Sequence, residues 1–363
     1  LLIKKEHNDC LLFYRMGDFY ELFFEDAIKA SGVLNIALTK RGKHLEVDIP
    51  MCGVPVHSHE SYLNRLIKAG FRVAICEQIE DPKKAKKRGS NSIVKRDVVR
   101  IITPGTITEE ALLSARKNNY LAAIGCSRKQ NAIAWADIST GQFFTQPTDQ
   151  TDLSAVINRI EPEELLVSDA YDQASEIDEA LLNTHIYKTV LPAVSFDSIN
   201  GIQSLKNFFK TSTVDAFGDF TKAELSAAGA LVDYVTLTQK GNMPRITKIS
   251  RCARNTIMEI DSATRRNLEL TSTLSGAYQG CLLSVIDKTV TGAGARLLTN
   301  RLSEPLTSSE QISSRLDAVS TFIQSDSLRL EIRGLLKQIP DIERALSRIA
   351  VNRGGPRDLG AIY

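Results

Sequence analysis

Phe19 and Glu21 stand two positions apart in residues 15–23 (RMGDFYELF), so an aromatic ring and a carboxylate are close neighbours along the chain. In an extended strand such residues project from the same face, roughly 7 Å apart. An apolar ring can enter a base stack, and a carboxylate can hydrogen-bond an exposed base edge. The pair therefore favours a site that inspects duplex DNA for a mispaired base. Met16 is placed to pack beside an inserted ring.

Glu21 is the more informative of the two, because phosphates repel a carboxylate and general affinity for DNA would disfavour it. It is useful where it meets a base edge, either as an acceptor or, once protonated in anionic surroundings, as a donor. A mismatched step is easier to unstack and kink than a paired one, so Phe19 would discriminate without reading sequence. The alternative interpretation is a core aromatic at position 19 and a solvent-facing strand residue at position 21.

The composition is that of an ordinary globular protein, with 43% hydrophobic and 24% charged residues among 363. This length predicts two to four domains. The chain has no long apolar run and no signal peptide at its start, so we expect no membrane association. The six cysteines form no CxxC pair, which argues against a zinc site and against a secreted disulfide framework. We expect a cytoplasmic, nucleoid-associated protein.

Positive charge is concentrated at the start of the chain. Residues 1–100 hold 18 Lys and Arg against 13 Asp and Glu, whereas the remainder holds 27 against 30. This asymmetry suits a nucleic-acid face, although an uneven solvated surface explains it equally well. The basic run 83–88 includes Lys83 and Lys84. It is either a flexible loop or a source of non-specific phosphate contacts.

The hydrophobic pattern predicts three regions. In residues 1–102, strands at 11–16, 19–24, 36–39, 49–51 and 71–78 alternate with helices at 25–34 and 61–68, which indicates a mixed α/β domain. Residues 103–119 begin with a turn-rich Thr-Pro-Gly-Thr and form a linker. Residues 120–216 show strands at 121–126, 132–137, 141–145 and 164–167 with a helix at 152–160, an order typical of ribonuclease-H-like domains.

Residues 217–363 are predicted to be helical, as the start of an all-α region. Helical apolar stripes or helices are expected at residues 225–235, 261–274, 280–287, 294–302, 308–324 and 327–339.

Six segments, in order and with matching spacing, resemble the MutS family of DNA mismatch repair proteins. They are residues 13–23 (FYRMGDFYELF), 38–42 (LTKRG), 49–55 (IPMCGVP), 73–78 (VAICEQ), 98–106 (VVRIITPGT) and 261–269 (DSATRRNLE). The resemblance implies the N-terminal part of a bacterial protein of this family. It assigns residues 1–102 to a mismatch-recognition domain, 120–216 to a connector domain and 217–363 to the first part of the helical core and lever domain.

The same resemblance implies roles for individual residues. Phe19 would stack on a mispaired base, and Glu21 would hydrogen-bond it; Met16 joins them as a candidate because it directly precedes the turn. The resemblance makes Lys40 and Arg41 candidates for DNA-backbone contacts, with solvated turn charges as the alternative. His57, in a predicted loop before a helix, and Lys83 and Lys84, in the basic run, are further candidates from their positions alone. The implied partners are double-stranded DNA with mismatches or small insertion/deletion loops, a second copy of the full-length protein, and a downstream protein of the MutL family.

The family's ATP site is not recognisable in this sequence. A phosphate-binding loop reads G-x-x-x-x-G-K-[ST], whereas Gly42-Lys43 is followed by His44 and has no glycine five positions before Gly42. Gly292 and Gly294 are not followed by the required lysine. We therefore expect no catalytic residue, cofactor or metal in this chain, and ATP with magnesium bound elsewhere in the full-length protein.

Two other functions remain as alternatives. A metal-dependent nuclease on the ribonuclease-H-like unit would need several convergent carboxylates, for which Asp137, Asp152 and Glu161 are the candidates. An interaction scaffold for repair partners is the second alternative, but no docking surface is identifiable. A family branch that handles recombination junctions would be expected to lack the Phe19-x-Glu21 pair.

Overall fold

The computed structural model describes residues 2–80, 87, 94–128, 130–171, 177, 181, 184–252 and 256–363. Contacts divide the chain into two compact units. The first comprises residues 1–112 and 235–243, and the second comprises residues 113–234 and 244–363. Within the described ranges, no helix combines the length and the apolar character needed to cross a membrane.

The first unit is a mixed α/β structure, as the sequence predicts. Its strands are β1 (Leu11–Met16), β2 (Phe19–Phe23), β3 (Thr39–His44), β4 (Val47–Pro55), β5 (Val73–Gln78) and β6 (Arg96–Ile102). Its helices are α1 (Leu2–Glu6), α2 (Glu25–Leu34) and α3 (His59–Lys68). The predicted helix at 25–34 and the predicted strand at 11–16 are confirmed at both ends.

The strands form one sheet in the order β3-β4-β2-β1-β5-β6, in which β1 and β5 run parallel and the other neighbours antiparallel. Helices α2 and α3 pack against each other and against this sheet. Strand alternation turns Tyr20 and Leu22 into the core, where they are 3% and 0% exposed. The same alternation places Phe19 and Glu21 on the opposite face.

A two-residue turn joins β1 to β2. Gly17 adopts φ +60°, a left-handed conformation that glycine adopts without a steric penalty at the first central position of a type II′ turn. The turn sets the register of the hairpin, in which Met16 pairs with Phe19 and Tyr14 pairs with Glu21. Met16 and Phe19 are therefore cross-strand neighbours.

A β-bulge interrupts the pairing of β3 with β4. Lys40 pairs with Pro50 and Lys43 with Asp48, so Arg41 and Gly42 together face the single residue Ile49. Gly42 has φ +72°. The predicted strand at 36–39 was misplaced, because every residue of β3 is exposed and this edge strand shows no hydrophobic alternation.

The second unit contains a second sheet. Its strands are β7 (Tyr120–Ser127), β8 (Gln130–Asp137), β9 (Gln142–Thr148), β10 (Glu164–Ser168), β11 (Tyr187–Leu191) and the short β12 (Ser250–Arg251). Helix α4 (Leu153–Ile160) lies between β9 and β10 in the chain. The order is β11-β10-β7-β8-β9-β12, and its first five strands have the ribonuclease-H-like arrangement that the sequence predicts. A core that includes Ile133, Trp135 and Leu165 joins this sheet to α4.

Helices dominate the rest of the chain. They are α5 (Ser198–Phe209), α6 (Lys222–Gln239), α7 (Ser262–Asn267), α8 (Leu282–Ile286), α9 (Gly292–Ser303), α10 (Ser309–Gln324), α11 (Asp326–Leu336), α12 (Ile342–Ala350) and α13 (Pro356–Ile362). This confirms the predicted helical region. The last residues of α6 belong to the first unit, with residues 235–243.

The predicted helix at 261–274 is wrong in its second half, since α7 ends at Asn267. Glu269 has φ +46°, which breaks the helical backbone, and its Oε1 accepts a hydrogen bond from the Leu274 amide at 2.6 Å. A side chain that satisfies the backbone in this way competes with the helix.

Two buried arginines of the helical region hold the chain segment that precedes β7. Arg296 donates to the Ala115 carbonyl at 3.0 Å and to Asp341 at 2.6 Å. Arg344 donates to the carbonyls of Ser114 and Lys117 at 2.7 and 2.8 Å. The second half of the predicted linker is therefore fixed by hydrogen bonds within the second unit.

Candidate nucleic-acid interface

Phe19 is an exposed aromatic at the very start of a central strand. Its side chain is 47% exposed, although β2 is flanked by β1 and β4. It pairs with Met16 on β1 and with Pro55 on β4, and Met16 is half-buried. A large apolar ring held at this position by apolar neighbours on both sides is available to a partner and is not a core residue.

Glu21 lies on the same face, two residues further along β2. It is 9% exposed, and its carboxylate accepts hydrogen bonds from Nη1 of Arg41 through both oxygens, at 2.5 Å for Oε2. Arg41 comes from β3, so its side chain reaches past β4 to make this ion pair. The alternative interpretation of Glu21 as a solvent-facing residue is wrong, because the carboxylate is largely buried and paired.

Gly53 separates the two side chains. It pairs with Glu21 on β4, and a Cβ atom at this position would lie 3.7 Å from both Phe19 Cδ1 and Glu21 Cγ. Gly53 is partly exposed and carries no side chain, so no Cβ fills the position beside the ring and the carboxylate.

Tyr20 anchors the strand from the other face. Its hydroxyl donates a short hydrogen bond to Glu77, and its ring packs 5.6 Å from that of Phe13 and 5.3 Å from that of His59. Burial, together with the Glu77 carboxylate, raises the pKa of Tyr20 above its usual value. Tyr20 is therefore a neutral donor that fixes the backbone between Phe19 and Glu21.

The other predicted DNA contacts fall in different places. Lys40 pairs with Pro50, five residues along β4 from the partner of Phe19, or about 17 Å in an extended strand. It forms an exposed ion pair with Asp48 at 2.8 Å. His57 is exposed in the 3₁₀ turn Val56–Ser58, directly after β4 and at the Phe19 end of the sheet. Lys83 and Lys84 lie outside the described residues.

The carboxylates of the nuclease alternative have local structural partners. Asp137 is fully buried at the end of β8 and accepts from the amides of Asn119 and Ser139 and from the Ser139 hydroxyl. Asp152 accepts from Thr151 at 3.2 Å, and Glu161 from Thr271 at 2.9 Å. In the part of the chain that the structure describes, no group of three or more metal-ligating side chains comes together.

The glycines considered for nucleotide binding do not fit ATP. Gly42 and Lys43 lie within the edge strand β3, whereas a phosphate loop joins a strand to a helix. Gly292 and Gly294 open α9, where the Thr291 hydroxyl accepts from the Gly294 amide at 3.0 Å and no lysine follows. Neither segment offers the amide cradle and lysine that triphosphate binding needs.

Fold and site together define a class of multidomain proteins. A mixed α/β domain carries the aromatic–carboxylate pair, a ribonuclease-H-like domain follows, and a helical region comes third. Family models for MutS domain I, MutS domain II and MutS domain III match residues 1–111, 119–247 and 263–363, respectively.

Curated relatives agree with these matches. The chain is 53% identical to the DNA mismatch repair protein MutS of Ruegeria sp. (strain TM1040), over 100% of its own length and 41% of that relative. It is 53% identical to the protein of the same name from Ruegeria pomeroyi and 52% identical to that from Paracoccus denitrificans, with the same coverage. The chain belongs to the MutS family, and it spans about 41% of the length of these relatives.

Sequence reasoning missed two features of the site. Gly53 lies in the family-like segment 49–55, but its place opposite Glu21 follows only from the register of β2 and β4. Arg41 was expected to contact the DNA backbone, and that role stays a prediction; its pairing with Glu21 across 20 positions leaves no periodic signal in the sequence.

Proposed function

We propose that this chain recognises mispaired or unpaired bases in duplex DNA, with Phe19 as the stacking wedge and Glu21 as the group that hydrogen-bonds the displaced base. The observation that carries the proposal is the shared face of β2. There, a half-exposed ring and a fixed carboxylate lie beside Gly53, which carries no side chain. Membership in the MutS family, whose domain I is the mismatch-recognition domain, supports the same assignment.

The physical argument starts from the cost of opening a base step. Stacking an aromatic side chain on a base contributes about 1–3 kcal/mol, and unstacking a step costs a few kcal/mol. On paired DNA the gain from stacking and the cost of unstacking nearly cancel. A mismatched step costs less to open, so stacking there gives a net gain in affinity. Phe19 is already outside the core, with Met16 and Pro55 as its cross-strand neighbours, so insertion requires no rearrangement of the sheet.

Glu21 adds selectivity against intact duplex. Its carboxylate stands beside the ring on the same face, where it would approach base edges at a step opened by Phe19 and would oppose phosphates elsewhere. Stacking alone would favour any flexible step. The carboxylate restricts the gain in affinity to base steps at which a base edge is free to form a hydrogen bond.

We propose the remaining family properties for the intact protein. These are coupling of mismatch recognition to ATP through residues outside this chain, a homodimer, a partner of the MutL family, and a place on the nucleoid in the cytoplasm. The domain bounds 1–102, 103–119, 120–216 and 217–363 stay predictions. The nuclease alternative is not favoured, because the Asp137 carboxylate accepts hydrogen bonds from the amides of Asn119 and Ser139.

The test is Phe19→Ala in the intact protein, with fluorescence anisotropy on a G·T duplex, an unpaired-T duplex and the matched homoduplex. We expect the preference for defective DNA to fall to within about twofold of unity, a loss within the 1–3 kcal/mol of one stacked base. Leu38→Ala is the control, since Leu38 in the same unit is also 47% exposed. An unchanged preference in Phe19→Ala would refute the wedge.

A further inference from the structure

Arg41 and Glu21 form an unequal ion pair. The Glu21 side chain is 11% exposed, whereas that of Arg41 is 48% exposed. One guanidinium nitrogen contacts both carboxylate oxygens, so the pair neutralises the carboxylate and limits its rotation. Glu21 is therefore the buried member, held in place by Arg41, and Arg41 is the member that faces solvent.

The bulge in β3 accounts for the direction of Arg41. In a regular strand, neighbouring side chains alternate between faces, and an extra residue re-aims the side chain beside it. Lys40, directly before the bulge, donates to Asp48 on the neighbouring strand β4, whereas Arg41 reaches across β4 to Glu21 on β2. Two adjacent cations therefore have different partners.

The pairing changes what Glu21 can do at a base. A carboxylate has about four acceptor positions, and one guanidinium nitrogen does not use them all. Arg41 offsets only part of the repulsion between Glu21 and phosphates, so its effect on discrimination comes mainly through the hydrogen bond that Glu21 forms with a base. Glu21 still presents an acceptor to a base N–H, and in a fixed position, so less rotational freedom is lost when that hydrogen bond forms.

On the basis of the proposed function, we propose that Arg41 is a specificity-determining positioning residue that acts through Glu21. It holds the carboxylate on the Phe19 face as an acceptor for base N–H donors and partly compensates its charge on DNA. Arg41 thereby determines how well Glu21 discriminates, and it does so without reading a base itself. A phosphate contact by Arg41, independent of Glu21, is the competing assignment.

A double-mutant cycle in the intact protein separates these two assignments. The quantity measured is the mismatch preference, defined as Kd for homoduplex divided by Kd for the G·T duplex. We expect Arg41→Ala to lower the preference about threefold to tenfold when Glu21 is present, and by less than about twofold in the Glu21→Gln background. An equal factor in both backgrounds, a change below about twofold with Glu21 present, or a raised preference would overturn the proposal.

Two further readouts test the role of Arg41: the first asks whether the positive charge at this position is what matters, and the second asks whether Arg41 contacts a phosphate. Arg41→Lys keeps the positive charge and should retain the preference to within about twofold. For homoduplex, Arg41→Ala should change the slope of log Kd on log salt by less than about half a unit, whereas loss of a phosphate contact lowers it by about one. A slope change of about one would overturn the proposal.

Lys43→Ala is the matched control in both backgrounds. It removes an exposed cation from the same strand but leaves the Arg41–Glu21 pair intact, so the preference should not change. Phe19→Ala in the same assay distinguishes failure of the Arg41 role from failure of the proposed function. If Phe19→Ala abolishes the preference while the Arg41 cycle is additive, the role of Arg41 fails and the wedge stands; if Phe19→Ala has no effect, the proposed function fails.

Discussion

The hydroxyl of Tyr20 donates to the carboxylate of Glu77 directly beneath the strand that carries Phe19 and Glu21. Arg15 completes the arrangement, 3.5 Å from Glu77 and with its guanidinium carbon 5.7 Å from the centre of the Tyr20 ring. The ring–carboxylate pair therefore rests on a partly buried polar contact between β2 and β5. We expect this contact to support the site without taking part in recognition.

Tyr20→Phe should destabilise the protein without changing its recognition of DNA. The change removes one hydrogen bond to a charged acceptor and keeps the buried ring, so we expect a loss of about 1–3 kcal/mol in the free energy of unfolding, measured in urea. Tyr14→Phe is the control, since the Tyr14 ring contacts Arg96 and this contact survives the change. A lost mismatch preference in folded Tyr20→Phe would contradict a purely supporting role.

Glu21→Ala should tighten homoduplex binding or leave it unchanged while reducing the mismatch preference. The change removes an anion and frees Arg41 for phosphates, so we expect up to about one unit of steeper salt dependence on homoduplex. Anisotropy titrations across a range of salt concentrations measure both effects. Substantially weaker homoduplex binding with the preference intact would contradict the repulsion argument.

Asp341→Asn should lower the free energy of unfolding of the second unit at neutral pH and make that free energy depend less on pH in acid. Burial acts to raise the pKa of Asp341, but the hydrogen bond and charge of Arg296 outweigh it and hold the pKa below its ordinary value. The stabilisation is therefore fully present above about pH 4, the unfolded value, and is lost as the pH falls through the lower folded pKa.

Urea unfolding at pH 7 and at pH 3 measures this effect. We expect a loss of about 1–3 kcal/mol at pH 7, because Asn keeps an acceptor but not the charge opposite buried Arg296. The control is Asp326→Asn, whose 75%-exposed side chain pairs with Arg329 one helical turn away and should contribute within about 0.5 kcal/mol. A pH dependence equal to that of the unsubstituted protein would count against the assigned role of Asp341.

The regular parts of the fold were predictable because their residues follow short periods. Strands β7, β8 and β10 were found from their apolar runs, and α2 from its helical spacing. The predicted helix at 261–274 failed where Glu269 bonds the Leu274 amide, since such a local competitor has no period. The edge strand β3 was misplaced because all its residues are exposed, so it has no hydrophobic alternation to detect.

The candidate site was predictable in part. The spacing of Phe19 and Glu21 places them on one face of a strand, and the turn after Met16 follows from Gly17. The Arg41–Glu21 pair depends on the strand order β3-β4-β2 and on a bulge, and neither is encoded within a short window of sequence. Long-range register is what the local pattern could not supply.

The bulge at Arg41 and Gly42 also affects how this sheet meets other chains. β3 is the outermost strand of its sheet, and a flat edge strand offers its backbone as a template for pairing with another β-strand. Here the left-handed Gly42 distorts the edge, and Lys40, Arg41 and Lys43 surround it with charge. The irregularity that directs Arg41 to Glu21 thus protects the sheet from edge-to-edge aggregation, so a variant that regularised β3 would put solubility at risk as well as recognition.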